Sequence, residues 1–323
     1  MNLSSKQTVD VLRAAGEPTR LRILALLDKE ELAVLEICRV LDQSQPRVSR
    51  HLKLLAEARL VERFPDGAWV FYRLAAAGEP AALVRQVLAR VRLDDGELKR
   101  DRDRLDAVQA ERQAEASAYF AENAEQWDEL RVLYVSDTEV EKAILQAVGQ
   151  GPFKRLVDLG AGTGRMLTLL APRSDQAVGL DLSQQMLSLA RRRASAAGLT
   201  HIELRHGDIF DPGIEESSAD LVVVHQVLHF LGDPAAAVKA SARLVSAEGR
   251  LVIVDFAPHR HEFLREQHKH RRLGFSKEEV TRWLGEAGLP NVSLIALPPT
   301  RSDGLTVKIW VATHEKTDQR SAA

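Results

Sequence analysis

At 323 residues the chain is long for one domain, and two domains are the natural expectation. Its 45% hydrophobic and 28% charged residues exclude a disordered or fibrous polymer. A net charge of −2 excludes a uniformly basic nucleic-acid coat, so contact with nucleic acid would have to come from a local stripe.

No apolar run approaches the roughly 18–20 residues of a membrane span. The opening MNLSSKQTVD lacks the basic-then-apolar order of a secretory signal. The single cysteine, Cys38, allows no intramolecular disulfide and suits a reducing compartment, so a cytoplasmic location without membrane contact is expected.

In chain order, residues 18–27 come first, with Leu21, Leu24, Ala25 and Leu27 at helical spacing and Pro18 in the first turn. Residues 32–41 repeat the pattern through Leu32, Leu35, Ile37, Val40 and Leu41. After a polar break, Asp42-Gln43-Ser44, a helix runs on from about Pro46. Its Val48, Leu52 and Leu55 share one face at i, i+4 and i+7, while Ser49, Arg50 and Lys53 lie opposite and Gln45 and Arg47 lead. Two short helices with a tight turn, the second opening on Gln, Arg and Ser, form the helix-turn-helix arrangement that reads base edges and phosphates in a major groove.

Residues 60–63 and 69–74 flank Pro65-Asp66-Gly67, which predicts a hairpin with Asp66-Gly67 at its turn, the wing. A charged helix face is most often simply solvated. The companion hairpin and the absence of acids over residues 45–55 favour DNA. His51, at the edge of the buried face, reads as packing first and as a DNA contact second.

The stretches Ala15-Gly16-Glu17-Pro18-Thr19-Arg20-Leu21-Arg22-Ile23-Leu24 and Gln43-Ser44-Gln45-Pro46-Arg47-Val48-Ser49-Arg50-His51-Leu52 strongly resemble the ArsR/SmtB family of bacterial repressors. The resemblance covers about residues 8–90. It implies a homodimer on an inverted-repeat operator in double-stranded DNA, with a helix near residues 81–91 in the dimer contact. Arsenic sensors of that family carry Glu-Leu-Cys-Val-Cys where this chain has Glu31-Leu32-Ala33-Val34-Leu35. Soft metals need thiolates, so metal sensing is expected to be lost. Cys38 reads as a small packed residue.

Residues 94–131 are dense in charge and alanine, without proline, and Leu98, Leu105, Val108 and Ala116 are sparse apolar points. A helical spacer is the simplest reading, one that can pair across a dimer. Residues 119–128 restore aromatics and are expected to start the second domain, with room to act as a lid.

From Arg155 onward, strand-like runs at 156–159, 177–180, 201–205, 221–225 and 250–255 alternate with helical patterns, which predicts a parallel sheet covered on both faces. Runs at 292–297 and 305–312 predict an antiparallel end. The first strand leads into Gly160-Ala161-Gly162-Thr163-Gly164, whose glycines let the chain turn sharply and approach a nucleotide. Asp181 ends the second strand, placed to accept ribose hydroxyls. Gly207-Asp208-Ile209 follows the third, with Asp208 placed to take an adenine amino group, and His225 to His229 close the fourth. Each acid alone reads as a loop carboxylate or helix cap; their order after successive strands argues for a ligand.

The order from Val157 to Asp255 resembles class I S-adenosylmethionine-dependent methyltransferases, nearest the UbiE-like branch, over about residues 117–313. That resemblance implies S-adenosylmethionine or S-adenosylhomocysteine as ligand. Asp158, Gly160, Ala161, Gly162, Asp181, Leu182, Gly207, Asp208, Ile209 and His225 are the implied contacts. A sulfonium methyl is already activated, so no obligatory catalytic motif follows. His229 and Asp255 are the acid–base candidates, and strand-end polar groups also often just bond loops. His259, His261, His268 and His270 invite a metal, yet Arg260, Arg265, Lys269, Arg271 and Arg272 would repel a cation. A basic amphipathic helix over the pocket mouth is expected instead.

The expected fold class is therefore α/β: a winged helix-turn-helix (1–92), a helical connector (93–118), a Rossmann-like seven-stranded methyltransferase domain (119–314) and a disordered tail (315–323). The fusion resembles regulators of methionine-cycle genes that respond to S-adenosylhomocysteine. That implies a dimeric repressor with a nucleoside effector. The alternative is an active small-molecule methyltransferase with an autoregulatory DNA-binding domain.

Overall fold

A computed structural model describes residues 3–92, 94, 96–124, 137–299 and 304–315. The chain divides into two compact units, Met1–Ala114 and Glu115–Ala323. The parts of the expected lid and tail at 125–128 and 316–323 lie outside the described residues.

In the first unit, α1 (Ser5–Ala15) opens on a capping box between Ser4 and Gln7, and α2 (Pro18–Leu27) has Pro18 in its first turn and Glu17 accepting the Arg20 N–H at 2.9 Å. Next come β1 (Leu32–Ala33), α3 (Val34–Leu41) and α4 (Gln45–Glu57), then β2 (Val61–Asp66), β3 (Trp69–Leu74) and α5 (Glu79–Leu88). The left-handed Asp42, φ 55°, ends α3 so that α4 can start three residues later. Ile23, Leu24, Ile37, Val48, Leu52 and Leu55 are fully buried, which pins α2, α3 and α4 to one core by their apolar stripes.

The wing forms in the sheet order β1-β3-β2, but its turn differs from the expected one. Asp66 pairs with Trp69, so the loop is Gly67-Ala68, with Gly67 at φ 58° in the first central position. Pro65 falls inside β2, where it is tolerated because β2 is an edge strand.

The connector is helical, α6 (Gly96–Asn123), yet its first half is not a bare spacer. Leu105 and Val108 are buried in the first unit's core, and the buried Asp101 accepts from Arg22 at 2.6 and 2.7 Å. Two apolar anchors within one turn of a 28-residue helix are too few for a helical period to reveal.

The second unit contains α7 (Asp137–Val148), β4 (Phe153–Leu159), α8 (Arg165–Leu170), β5 (Ser174–Asp181), α9 (Gln184–Ala196), β6 (Ile202–His206) and β7 (Ala219–His225). It continues with α10 (Pro234–Arg243), β8 (Val245–Phe256), α11 (Glu262–His268), α12 (Lys277–Glu286), β9 (Asn291–Leu297) and β10 (Val307–Thr313). The seven-stranded sheet has the order β6-β5-β4-β7-β8-β10-β9; β10 is antiparallel to both neighbours and the other pairs are parallel. Alternation sends Val157, Leu159, Val222 and Val224 to one face with Val238 and Trp283. Leu156, Leu221 and Val223 go to the other with Ile144, Leu167 and Leu170. Burial on both faces explains the unbroken apolar runs. The chain order reverses between β4 and β7, so the carboxyl ends of those strands flank the crevice where open α/β sheets bind ligands.

Candidate functional site

In the first unit, packing of Val48, Leu52 and Leu55 turns the remaining side of α4 outward. Gln45, Arg47, Ser49, Arg50 and Lys53 are all exposed. Lys53 is loosely tethered, its Nζ 3.9 Å from Glu57. His51 is half-buried, 3.5 Å from Glu17; burial holds its imidazole below the usual range, and Arg20, Arg47 and Arg50 add to this against Glu17. That suits a packing role. Cys38 is half-buried against the core, and burial pushes its thiol up, away from the thiolate a soft metal requires.

In the second unit, β4 ends in a glycine turn. Gly160, Gly162 and Gly164 sit at φ 74°, 53° and 78°, where L side chains strain. The Gly160 and Ala161 N–H groups donate to Leu180 O at 2.8 and 2.9 Å, tying the turn to β5. A Cβ on Gly160 would collide with Val227 Cγ2, whereas one on Gly162 would meet open space. The Gly162 backbone is therefore the part of the turn that a ligand can approach. Gly164 caps α8 without a side-chain bond, and its Cβ would stand 2.9 Å from Ala190 Cβ. Gly164→Ala is expected to lower the second unit's stability by about 2 kcal/mol through left-handed strain and overpacking, read as a fall in its melting temperature.

Three acids stand at or beside the strand ends, in different states. Asp158, one residue before the end of β4, is 1% exposed and neither carboxylate oxygen has a hydrogen-bond partner. Burial, reinforced by the nearby Asp181 charge, pushes its carboxyl up to about 7. Asp181 is half-buried: Oδ2 accepts the Gly162 N–H and Oδ1 the Ser183 N–H, both at 2.8 Å. Burial pushes it up too, against those backbone bonds. With about four acceptor sites, the carboxylate keeps capacity beyond these backbone bonds. Asp208 accepts the Phe210 N–H at 3.0 Å and stays partly accessible. Leu182 is exposed, whereas the Ile209 side chain is in the core, leaving its backbone for any ligand. Gly207 lies against Leu180, and His225 ends β7 half-buried.

These features fit a nucleoside cradle with a cationic group: an approachable glycine backbone, a carboxylate with free acceptor capacity, and a buried acid lacking a partner.

His229 and Asp255 are brought together. His229 Nδ1 lies 2.7 Å from Asp255 Oδ1, with the residues 2% and 0% exposed. His229 sits in a 3₁₀ turn, Leu228–Phe230, rather than on a strand, and its carbonyl accepts the Arg271 and Arg272 N–H groups.

The segment over them corrects the expected basic amphipathic helix. Helix α11 is only seven residues long, with Leu264 and Arg265 buried. Arg272 is buried too, 3.0 Å from Glu279, and His270 stacks on His229 at 4.1 Å between ring centroids. Burial, with the charges of His229, His259, His268 and Arg265, keeps His270 well below the usual imidazole range, and its Nδ1 has no hydrogen-bond partner. Among the described residues no group of His, Cys, Asp and Glu is arranged to hold a metal ion.

Sequence reasoning missed Gln226, a buried residue at φ 54° whose N–H donates to Val254 O at 2.7 Å just past β7. A non-glycine residue in that region is the kind of strain that clusters at binding sites. No compositional signal marks it.

Residues 157–253 match the family model for a methyltransferase domain, and residues 17–63 that for bacterial regulatory proteins of the arsR family. The arsenical resistance operon repressor of Escherichia coli K12 is 44% identical over 68 residues, 21% of this chain and 58% of that protein. A demethylmenaquinone methyltransferase of Clavibacter sepedonicus is 30% identical over 145 residues, 44% of this chain and 58% of that one. An uncharacterized 37.1 kDa protein in transposon Tn4556 of Streptomyces fradiae is 34% identical over 116 residues, where the chain spans only 33% of its relative. The crystal structure of YcgJ from Bacillus subtilis aligns over 55% of this chain and 99% of its own, at 18% identity and a TM-score of 0.47.

Proposed function

We propose that this chain, which joins an arsR-type helix-turn-helix to a methyltransferase domain, is a cytoplasmic transcriptional repressor that binds an inverted-repeat operator as a homodimer and takes S-adenosylmethionine or S-adenosylhomocysteine as its effector. One observation supports the reading: an arsR-type helix-turn-helix and a methyltransferase domain occur in one chain, whose single cysteine supplies no thiol pair for sensing. Arg47 and Arg50, with Gln45 and Ser49, reach base edges, while Lys53 meets phosphate. In the second unit the Gly162 backbone and Asp181 hold the ribose, Asp208 the adenine, and Asp158 a cationic amino group. Leu182, Gly207, Ile209 and His225 complete the walls, Ile209 through its backbone.

An effector acts only by its unequal affinity for DNA-competent and DNA-free forms. Inverting a 1:99 population needs about 10⁴-fold preference, and effects of roughly 5- to 150-fold are usual. Calorimetric titration of the dimer with each nucleoside, with and without operator, tests this. Affinities that differ between the DNA states are expected; identical affinities would overturn the effector role. Asp181→Ala should weaken nucleoside binding about 10- to 100-fold, as loss of a charged hydrogen bond does, while operator affinity without nucleoside is unchanged. Fluorescence titration reads both.

The His229–Asp255 pair supports a second reading, an active methyltransferase. S-adenosylmethionine, when bound, supplies an activated methyl group. Asp255 holds His229 through Nδ1, which leaves Nε2 as the base for an acceptor's proton. Methyl transfer by the purified protein to an acceptor mixture, lost in His229→Ala, is the expected result on this reading. No transfer to any acceptor would leave sensing alone.

A further inference from the structure

The boundary between the two units, Ala114 to Glu115, falls inside a single helix, α6. Within the first unit, polar side chains of α6 grip α3, the helix that leads directly into the DNA-reading α4. At the start of α3, Arg112 donates to Glu36 and also to Glu30, both at 2.9 Å. At its end, Arg104 donates to Val40 O at 3.2 Å. Asp101 holds Arg22, which in turn donates to Leu41 O at 3.1 Å. Arg39, also on α3, pairs with Glu111 at 2.5 Å.

Within the second unit, the last turns of α6 meet the segments beside the strand-end site. The Tyr119 hydroxyl lies 2.7 Å from His268 Nδ1, and Lys269 pairs with Glu115 at 3.4 Å. The Phe120 ring packs edge-on against Phe230, with centroids 4.9 Å apart. Phe230 belongs to the 3₁₀ turn that begins directly after Val227, whose methyl fills the space a Cβ on Gly160 would take.

We infer that α6 is the element through which nucleoside occupancy changes operator affinity, with Tyr119 and Phe120 as the input contacts and Arg112 and Asp101 as the output contacts on α3. This rests on the effector reading above. Three physical points support it. A helix resists shortening, so a displacement imposed at one end is delivered to the other. The grip on α3 falls at both of its ends, so a shift of α6 rotates or slides α3 and hence the start of α4. Only Asp101, Leu105 and Val108 of α6 are buried, so charge pairs set its register more than a deep core does. The exposed ones, Arg39–Glu111 and Lys269–Glu115, exchange partners with little net change in stability. That gives the two-arrangement element that coupling between sites requires.

The test is operator binding by the full chain, without nucleoside and with saturating S-adenosylhomocysteine or S-adenosylmethionine. Wild type is compared with Tyr119→Phe, Tyr119→Phe/Phe120→Ala and Arg112→Gln. Wild type is expected to shift about 5- to 150-fold. The double variant and Arg112→Gln should each bind nucleoside within about twofold of wild type, while the nucleoside-induced shift collapses below about twofold. Tyr119→Phe, which removes the hydroxyl's bond to His268 and keeps the ring, should give an intermediate shift. A full wild-type shift in all three variants overturns the role of α6 and leaves the effector reading standing. No shift in wild type overturns the effector reading and this inference with it.

Discussion

Asp158→Asn is expected to raise the melting temperature of the ligand-free protein at pH 8 and at the same time to weaken its binding of an amino-bearing nucleoside. The carboxyl of Asp158 is pushed up to about 7 by burial and by Asp181. Unfolded, an aspartate titrates near 3.9. Between those values the native state holds a proton that the unfolded chain has released, so stability falls as pH rises through this window and levels off above about 7. Integrated over it, the ionised, unpartnered acid costs about 4 kcal/mol, an upper figure for what the neutral amide recovers at pH 8. Melting temperatures from pH 5 to pH 8 should therefore fall more steeply for wild type than for Asp158→Asn. Parallel profiles would show that the acid has a partner.

Binding runs the other way. A ligand cation favours the ionised acid, so wild-type affinity should rise as pH approaches 7, and the variant should bind about 10- to 100-fold more weakly. A residue that destabilises the empty protein and strengthens the complex is hard to explain by fold alone.

The second large effect belongs to the other unit. Arg47→Ala/Arg50→Ala is expected to reduce operator affinity about 10²- to 10³-fold, at about 1–3 kcal/mol for each arginine removed. Melting temperature and nucleoside affinity should not move, because both side chains are exposed and the face that packs is Val48, Leu52 and Leu55. Lys53→Ala should lower affinity more uniformly and reduce the salt dependence by about one ion. A change below twofold in the double variant, by gel shift at fixed salt, would mean that the helix face is merely solvated.

Both surfaces were legible in the sequence because each rests on local pattern. The seven strands followed from apolar runs, the glycine turn from its spacing, and α4 from an i, i+4, i+7 stripe opposite basic residues. What was hidden depends on partners distant in sequence. Nothing near Asp101 announces that Arg22, 79 residues away, turns a polar helix into part of a core. The histidine and arginine run from 259 to 272 reads as a solvated basic helix. Instead Glu279 takes Arg272, and stacking on His229 takes His270, into the interior. Gln226 carries a strained backbone that no residue type advertises. The hairpin turn shifted by one residue because Asp-Gly marks a turn without fixing which two residues occupy it.

Pro65 bears on what the edge of the wing can pair with. Asp66 and Trp69 close the two-residue loop as the hydrogen-bonded pair, and pairs alternate along an antiparallel ladder, so the nitrogen of Pro65 faces away from β3. The outer rim of the wing thus lacks a donor at its tip, where a second strand could not continue the ladder. That rim of the helix-turn-helix unit is thereby guarded against open-ended strand addition, the route to filaments.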